Sequence, residues 1–516
     1  MKFVRTNHYV ILAHIILLIL QLLFWNFIID DAFITFRYAS NFYKYNQLVF
    51  NVNETPVEGY SNFLWVIWII IGFNLNLDPL LFSKISGMLF SHLCILILYK
   101  LAFLLNKSKQ FCNKVIIIYV LTPNIALWSI GGLETALFSF LLLLSVYIFI
   151  KEIIEYNVSK FKISPFFFAL LSLTRHEGLI IFGVTCIFLL IFLIYKKQLP
   201  KFKKLIQFFS FIGFYFIVYL PYFFWRVTYY NNLIPHTYVA KQDILTISVL
   251  FNRILFYLPL LCFLFPVILI IGINLFKTFK MKNYNDKKLY IILLILVLSS
   301  ILILINSWMP GFRFTVPIIP FIYLLLPKSI NFLSFFGNAY RIDPFLSKNI
   351  KRLTILIICL SNFLLIFTFY PMIHIYGIGI RDCNIKLGRW IHDNTSQNAS
   401  LAIWDAGAIP FYAEIPTIDI YPESLQDLYI YNHPEDADYI LNQNITILIL
   451  NDQYFEYIKS DARFITNYKM IFFAQLFYAD GILGLDYIYQ VYLLKSYYIS
   501  NFSISELLNS SPRFYI

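Results

Sequence analysis

Long runs of apolar residues, separated by short polar segments, occupy most of the first 375 positions of this 516-residue chain. A helix needs about 20 apolar residues to cross a bilayer, and fewer where spans are broken or tilted. The pattern therefore predicts about eleven transmembrane helices, at 9–29, 79–105, 115–130, 133–150, 163–173, 178–195, 205–228, 250–276, 289–306, 313–327 and 352–373. The 163–173 run is short for a span, and 313–327 is marginal.

Residues 61–76 form a further apolar stretch. We expect an amphipathic helix there that lies along the membrane interface. Trp65 and Trp68 would suit that level, because tryptophan is enriched near the headgroups. A further crossing at this point would place later basic loops on opposite sides of the membrane, so the interfacial placement is favoured.

The pattern changes after Tyr370. GRWIHDN (388–394) has the character of a helix end. Short runs typical of strands follow, at SLAIWD (400–405), PTIDI (416–420), NITILILN (444–451) and DYIYQVYLLK (486–495). We therefore expect two parts: a transmembrane domain over 1–375 with a first external loop at 30–78, and a small extracytoplasmic α/β domain over 376–516.

Composition confirms that the chain is an integral membrane protein. Hydrophobic residues make up 60% and charged residues 13%, against about 45–50% and about 25% in soluble proteins. Five of the six cysteines lie in or beside apolar runs, so no disulfide framework is predicted outside the membrane. Lys2 and Arg5 precede a long apolar run without a small-residue cleavage site, which favours a retained anchor.

Charge gives the orientation. Of the 40 basic residues, 24 fall before the first span or in the loops 100–114, 151–162, 196–204, 277–288 and 328–352. All of these lie on one side, which the positive-inside rule makes the cytoplasm. From Ile380 onward 16 acidic residues stand against 8 basic ones, so the net charge of +12 is a topology signal and does not indicate nucleic acid.

The opposite side collects the unusual loops, at 30–78, Gly131–Thr135, Thr174–Gly178, Tyr229–Lys241 and Asn306–Phe314. These loops and their edges carry charges that would be costly at membrane depth unless they face water or each other. They are Asp30, Asp31, Arg37, Glu54, Glu58, Glu134, Arg175, Glu177, Arg226, Lys241 and Arg313. Their convergence on one membrane face predicts a site.

The residue types in that site suggest a reaction. Asp30 and Asp31 directly follow the first span and could act as a general base; the simpler alternative is a solvated helix end. Cations from several loops suit a phosphate, and apolar surroundings suit a lipid tail. Since no nucleotide-binding, HExxH or GxSxG motif is visible, a sugar activated elsewhere and delivered as a polyprenyl phosphate fits these features.

Seven segments also resemble a known family. They are DDAFITFRYASN (30–41), VFNVNETPVEGYSNFLW (49–65), GGLETALF (131–138), LTRHEG (173–178), YYNNLIPHTYVAK (229–241), FRFTVPIIP (312–320) and WDAGAIPFYAEIPTID (404–419). In order and content they resemble the GT-C glycosyltransferases, polytopic enzymes that use lipid-phosphate-linked sugars. Within that group they are most similar to the arabinofuranosyltransferase-like branch that caps mycobacterial arabinan, and its bacterial relatives. His176 and His236 depart from that pattern.

The resemblance implies that Asp30 or Asp31 is the catalytic base, with the other aspartate orienting the acceptor or pairing with Arg37. Candidates for the donor phosphate are Arg175, Lys241 and Arg313. Residues that could bind sugar or acceptor, or support these cations, are Arg37, Glu58, Glu134, Glu177 and His236.

Simpler interpretations compete for several of these residues. Arg175 and Glu177 could be a structural ion pair, and Glu134 a charge favoured by a helix N-terminus. Lys241 could reach the interface from an apolar segment, and His236 could be an ordinary polar loop residue. Asp405 and Asp419 are expected at strand ends as turn or cap residues.

The expected function is transfer of a hexose or pentose from polyprenyl phosphate to an envelope glycan, lipid or protein, with inversion at the anomeric carbon. The expected place is a bacterial inner membrane, with the N-terminus cytoplasmic and the C-terminal domain periplasmic. A transporter or flippase of lipid-linked saccharide is the alternative, although the charges gather at one leaflet and no repeat is visible. The sequence names no certain cofactor and leaves a divalent cation open.

Overall fold

The computed structural model describes residues 8–154, 163–195, 200–233, 236, 309, 311–324, 344–421, 426–451, 455–477 and 487–516. The first part of the chain is helical. Its helices are α1 His8–Leu23, α2 Asp31–Tyr45, α3 Phe63–Asn74, α4 Pro79–Asn106, α5 Lys109–Val120, α6 Pro123–Ile130, α7 Thr135–Ile154, α8 Ser164–Thr174, α9 Glu177–Tyr195 and α10 Lys201–Tyr230. Arg313–Thr315 forms a 3₁₀ turn, and α11 spans Pro344–Gly379.

Within the described residues, α4, α7, α9 and α10 are long and apolar enough to cross a membrane. A fifth crossing results if α5 and α6 count as one span, although they meet at a bend of 60°. The predicted span at 115–130 therefore consists of two helices with a bend between them. Thr122 is extended (φ −83°, ψ 109°) before Pro123, as expected because proline disfavours the helical conformation of the residue before it.

The predicted spans at 250–276 and 289–306 lie outside the described residues. The marginal run at 313–327 begins as the 3₁₀ turn and is helical only from 319 in the described part. At 352–373 the chain is helical as predicted, but α11 continues to Gly379. The proposed domain boundary at residue 375 therefore falls inside a helix.

The end of α1 is anchored by a buried lysine on α4. The Lys84 ammonium donates to the carbonyl of Phe27 at 2.8 Å and to that of Trp25. A cation there complements the carbonyl groups that a helix end leaves without partners. Deeper in the bundle, the Gln21 amide donates to Ser91 and Ser129, each at 2.8 Å. These contacts fix where α1 ends and hence where Asp30 begins the first loop.

The first loop packs against the junction between α6 and α7. Gly132 has φ +88°, and a Cβ there would lie 2.4 Å from Ile28 and 2.8 Å from Ala32, so glycine is required. The indole of Trp65 donates to the Gly132 carbonyl at 3.0 Å and is fully buried. Trp65 thus anchors the short helix α3 to the junction between α6 and α7, and its level at the membrane interface stays a prediction.

After α11 the helix continues through a π-helical segment, Ile380–Ile385, into α12 Lys386–Asn394. A six-stranded sheet follows, in the order β2-β1-β3-β5-β4-β6. Its strands are β1 Leu401–Ile403, β2 Thr417–Asp419, β3 Ile447–Asn451, β4 Tyr468–Phe477, β5 Tyr487–Leu494 and β6 Phe514–Tyr515. The first three are parallel to one another and the rest antiparallel.

Short helices surround this sheet: α13 Ala408–Ala413, α14 Leu428–Asn432, α15 Ala437–Leu441, α16 Glu456–Lys459, α17 Ala462–Asn467 and α18 Asn501–Ser510. The predicted α/β domain and the four strand runs are confirmed, whereas β4 and β6 were not predicted. β1 is followed by α13, which packs along α2 of the first loop. The sheet thus reaches the start of that loop.

Candidate active site

Asp30 lies where the first loop meets the C-terminal domain. It precedes α2, yet its carboxylate does not cap that helix. Instead Oδ1 accepts hydrogen bonds from the Ala408 backbone N–H at 3.0 Å and from the Asn384 amide at 3.2 Å. The Asp30 N–H donates to the Tyr376 hydroxyl at 3.3 Å. The alternative of a solvated helix end does not describe this residue, whose side chain and backbone have partners in α11, the π-helical segment and α13.

The electrostatic environment of Asp30 favours its protonated form. Burial and the nearby negative charges of Asp405 and Asp31 raise the pKa of Asp30 to about 8, against the lowering effect of its two hydrogen-bond donors. A carboxyl with a pKa near the operating pH can both take up and release a proton, which is the property of an effective general base.

Asp405, which follows β1, is a member of this cluster that the sequence interpretation missed. Its Oδ2 accepts hydrogen bonds from the hydroxyls of Tyr487 at 2.7 Å and Tyr489 at 2.6 Å. Burial and the charge of Asp31 raise the pKa of Asp405, while the two tyrosines oppose the change. Asp405 does lie at a strand end, as expected, and its carboxylate is in addition held by two tyrosines of β5. Asp419, by contrast, accepts from the Tyr421 N–H at 3.2 Å in a local turn, as expected.

Asp31 links this cluster to a second one. It interacts electrostatically with Asp30 and Asp405 on one side and with Arg313 on the other. Arg313 is buried, and its Nη2 donates to Glu134 at 2.5 Å while its Nε donates to the Thr135 hydroxyl at 3.0 Å. The two predicted aspartates therefore lie between the C-terminal domain and a predicted phosphate-binding cation.

Glu134 is the centre of the second cluster. Its Oε1 accepts from both Arg313 and Arg175, the latter at 2.9 Å, and its Oε2 accepts from Asn62 at 2.9 Å. Its side chain is 2% exposed. The interpretation of Glu134 as a helix N-terminal charge misses this role of joining residues from four separate segments.

Arg175 and Glu177 form the ion pair that was the structural alternative. The guanidinium donates from Nη2 to Glu177 Oε1 at 2.5 Å and from Nε to Oε2 at 3.2 Å. A bidentate pair of this kind has a defined orientation. It holds the remaining nitrogen of Arg175 towards Glu134 in the gap between α8 and α9.

A small cleft opens beside these cations. Polar side chains line one part of it, and the rest is apolar. Its lining residues are Thr135, Phe138, Leu142, Arg175, Glu177, Ile181, Arg313, Phe314, Pro317 and Ile318. Among the described residues, Arg313 uses only Nε and Nη2 for hydrogen bonds, so Nη1 is available to a ligand. The cleft therefore brings guanidinium groups and an apolar wall together.

Glu58 belongs to a separate buried pair. Arg226 Nε donates to its carboxylate at 2.9 and 3.2 Å, and the two side chains are 2% and 3% exposed. Burial, opposed by Arg226, raises the pKa of Glu58 to about 7. His176 interacts electrostatically with Arg226, Arg175 and Glu177. It therefore lies between the Glu58–Arg226 pair and the cluster around Glu134. Arg226, which no motif singled out, is the partner that holds Glu58.

Arg37 does not pair with either aspartate. Its guanidinium donates to the carbonyl oxygens of Phe50 at 2.7 Å, Ile415 at 2.8 Å and Pro410, and to the Asn51 amide oxygen at 2.9 Å. All these partners lie in the first loop or in and after α13. Arg37 therefore joins the loop to the C-terminal domain, and the idea that it pairs with Asp30 or Asp31 is wrong.

Two further predicted residues complete the account. His236 is buried, and its ring packs edge-on against Tyr431 of α14 at 4.8 Å between centroids. It is not an exposed polar loop residue. Lys241 lies outside the described residues. In the part of the chain that the structure describes, no three His, Cys, Asp or Glu side chains come together as a metal site.

The comparisons with known proteins agree on the fold. Residues 373–492 match a family model described as Domain of unknown function (DUF8728). No curated protein matches the chain by sequence. ArnT from Cupriavidus metallidurans bound to undecaprenyl phosphate superposes with a TM-score of 0.61 at 10% identity, covering 95% of this chain and 99% of that chain.

Apo ArnT from the same organism gives a TM-score of 0.59 at 10% identity, covering 94% of this chain and 98% of that chain. The Archaeoglobus fulgidus oligosaccharyltransferase, in complex with Zn and sulfate, gives 0.47 at 12% identity over 86% of this chain and 68% of that chain. The two ArnT structures show that this chain has the GT-C fold. They do not bear on the arabinofuranosyltransferase-like branch.

Proposed function

We propose that the protein is a membrane glycosyltransferase that moves a sugar from polyprenyl phosphate to an acceptor hydroxyl. The proposal rests on two features of the site that lie next to each other. Buried guanidinium groups line a largely apolar cleft, and a carboxylate pair lies on the side of Arg313 that faces the C-terminal domain. A GT-C fold shared with ArnT, which was crystallised with undecaprenyl phosphate, supports the same conclusion.

The donor would enter with its phosphate at Arg313 and Arg175 and its first isoprene units along the apolar wall. A sugar phosphodiester carries one negative charge, and the phosphate monoester that leaves gains a second. Contacts to guanidinium groups therefore strengthen as the bond to the anomeric carbon breaks, which stabilises the transition state more than the bound donor. Glu134 and Glu177 would keep both cations oriented before the donor arrives.

On the other side, Asp30 would take the proton of the acceptor hydroxyl as its oxygen attacks the anomeric carbon. The bond from that carbon to the phosphate oxygen breaks on the opposite face, so a single displacement inverts the configuration. Proton removal by a placed carboxylate contributes about 10²–10⁴ in rate. Asp31 lies between Asp30 and Arg313 and would hold the base and the phosphate-binding cation in a fixed relative position.

The proposal extends to place and partners. The acceptor would be an envelope glycan, lipid or protein, presented by the C-terminal domain on the periplasmic face of a bacterial inner membrane. The arabinofuranosyltransferase-like branch is the relative that the sequence motifs favour, and the sugar would be a pentose or hexose. A divalent cation, if required, would have to be tested directly.

The test is sugar transfer by purified full-length protein in lipid nanodiscs, with synthetic polyprenyl-phosphate sugars as donors and mass spectrometry of the products. Asp30→Asn and Asp31→Asn are compared with Glu414→Gln, a matched charge removal in an exposed pair with Lys44. Loss of transfer in Asp30→Asn, with donor binding retained, is the expected result. Each reaction is run with EDTA and with Mg²⁺ or Mn²⁺.

Transfer that survives unchanged in both aspartate variants would move the base elsewhere and overturn the assignment of Asp30. Movement of a saccharide lipid across proteoliposomes, without turnover of any donor, would instead establish the transporter.

A further inference from the structure

Asp405 takes no part in the reaction described above, yet it has the arrangement of a functional group. Its carboxylate is half-buried and held by two phenol hydroxyls at 2.6 and 2.7 Å. Tyr487 and Tyr489 are two residues apart on β5, and alternate residues of a strand point to the same face of a sheet. The sheet therefore presents both hydroxyls together to a carboxylate at the end of β1.

The same segment of chain reaches Asp30. Three residues after Asp405, the Ala408 N–H donates to Asp30 Oδ1 at 3.0 Å. Between them, a Cβ on Gly407 would lie 1.9 Å from Asp30 Oδ2 and 2.4 Å from Cγ. No side chain fits there, so only glycine lets this turn approach the carboxylate. The turn 405–408 thus delivers a hydrogen-bond donor and a negative charge to one carboxyl group.

We propose that Asp405 is a positioning residue of the transfer reaction, through which the turn 405–408 of the C-terminal domain acts on the base Asp30. The inference rests on the proposed function. In the reaction, the proton of the acceptor hydroxyl passes to Asp30 while the sugar bond forms and the phosphate bond breaks. Asp405 forms no bond with the substrate, and after transfer the proton leaves Asp30 for water.

The other groups around the pair do not replace this effect. Asp31, Tyr376 and Asn384 face Asp30 from α2, α11 and the π-helical segment. After burial, the charge of Asp405 has the largest effect on the pKa of Asp30, ahead of Asp31.

Around Asp405 itself lie Tyr487, Tyr489, Asp31 and the thiol of Cys383. Two cations interact electrostatically with neighbours of Asp30 and Asp405: Arg313 with Asp31, and Arg513 with Cys383. Replacing Asp405 therefore removes a negative charge that acts on Asp30 without removing any of the hydrogen bonds to Asp30 named above.

The experiment is the pH profile of kcat/KM for Asp405→Asn in the full-length protein, measured with a synthetic polyprenyl-phosphate sugar in EDTA. Asparagine keeps the shape and an oxygen that accepts from both tyrosines. Activity of the parent protein should rise with pH as Asp30 ionises. Loss of the neighbouring negative charge lowers the pKa of Asp30, so the rise in Asp405→Asn should move by about one unit to lower pH.

Tyr489→Phe is expected to move the profile in the same direction and by less, because it weakens the ionised form of Asp405. Asp419→Asn is the matched control, since Asp419 is buried in the same domain but is not among the groups that act on Asp30. Its profile should not move. A lower rate in Asp405→Asn with an unmoved profile would reduce Asp405 to a structural residue and overturn the inference.

A second measurement keeps the inference testable if no donor is turned over. Because the pKa of Asp30 is raised from its ordinary 3.8 to about 8, the stability that Asp30 contributes is complete below the lower value and is lost as pH rises to the higher one. Asp405→Asn should reduce this loss of thermal stability. Parallel curves of Tm against pH for the parent and Asp405→Asn would refute the coupling, whereas absence of transfer alone would count against the proposed function.

Discussion

Replacing Glu134 by glutamine should test whether this carboxylate neutralises the guanidinium groups of Arg313 and Arg175 in the absence of a ligand. The carboxylate is 2% exposed and accepts from the guanidinium groups of Arg313 and Arg175, whose side chains are 8% and 13% exposed. Removing one partner of a buried ion pair leaves an uncompensated charge and costs about 3–5 kcal/mol. Since Arg313 has no other carboxylate among its hydrogen-bond partners in the described chain, we expect Glu134→Gln to fall at the upper end, about 5 kcal/mol.

The assay is thermal unfolding of purified protein in detergent or nanodiscs. An unfolding entropy of about 2 cal/mol/K per residue over 516 residues gives about 1.1 kcal/mol per degree. The expected fall in Tm is therefore about 4–5 °C. Glu414→Gln is the control, because the Lys44–Glu414 side chains are 37% and 48% exposed and an exposed pair contributes about 1 kcal/mol or less.

Undecaprenyl phosphate provides a second readout. In Glu134→Gln the ligand phosphate supplies the negative charge that the variant lacks, so adding it should raise Tm more than in the parent protein. Equal Tm changes in Glu134→Gln and Glu414→Gln would refute the view that Glu134 neutralises the two cations. A ligand response no larger than in the parent would refute the phosphate site.

Three further predictions address other parts of the site. Gly407→Ala should lower the transfer rate about 10²-fold, because its Cβ would displace the Asp30 carboxylate. Gly213→Ala, with open space around its Cβ, should leave the rate unchanged. Similar rates in the two variants would contradict the close approach of Gly407 to Asp30. Arg313→Lys should raise the donor KM about tenfold in steady-state assays, since lysine lacks the forked donor geometry, and an unchanged KM would exclude Arg313 from donor binding. The pKa of Glu58 is raised from 4.5 to about 7, so ionisation of Glu58 costs stability as pH rises through this range. Arg226→Gln removes the opposing cation and should therefore lower Tm more at pH 8 than at pH 6. The double variant Arg226→Gln/Glu58→Gln should not show this difference.

The fold was predictable where local patterns decide it. Four short apolar runs bounded by turn residues became β1, β2, β3 and β5. The fourth strand, YKMIFFAQLF, is a nearly continuous apolar run without alternation, which periodicity cannot distinguish from a buried helix. Its pairing with β5 and β6 is a long-range property. Likewise, the bend at Pro123 was hidden because hydropathy over 115–130 is uniform.

The sequence predicted which residues belong to the candidate site better than it predicted which of them contact each other. Sequence reasoning gathered the charges on one membrane face, but Glu134 and Arg313 are 179 residues apart, so nothing local joins them. Asp405 was interpreted as a strand-end residue because the tyrosines that hold it come 82 and 84 residues later. The one available signal was its place in the WDAG segment, where a glycine follows two residues after the carboxylate.

The contacts between the first loop and the C-terminal domain make the two a single folded unit. Asn51 of the loop accepts from the Thr417 N–H at 3.0 Å and donates to the Thr417 carbonyl at 2.8 Å, which satisfies the outer edge of β2 as a neighbouring strand would. Edge strands need such protection. Arg37 fastens the end of α13 in the same way. Since Asp30, at the start of α2, depends on Ala408, at the start of α13, the groups that cover the edge of the sheet also hold the carboxylate. The proposed base Asp30 follows the first helix of the chain and is held by a domain whose edge strand the same loop covers.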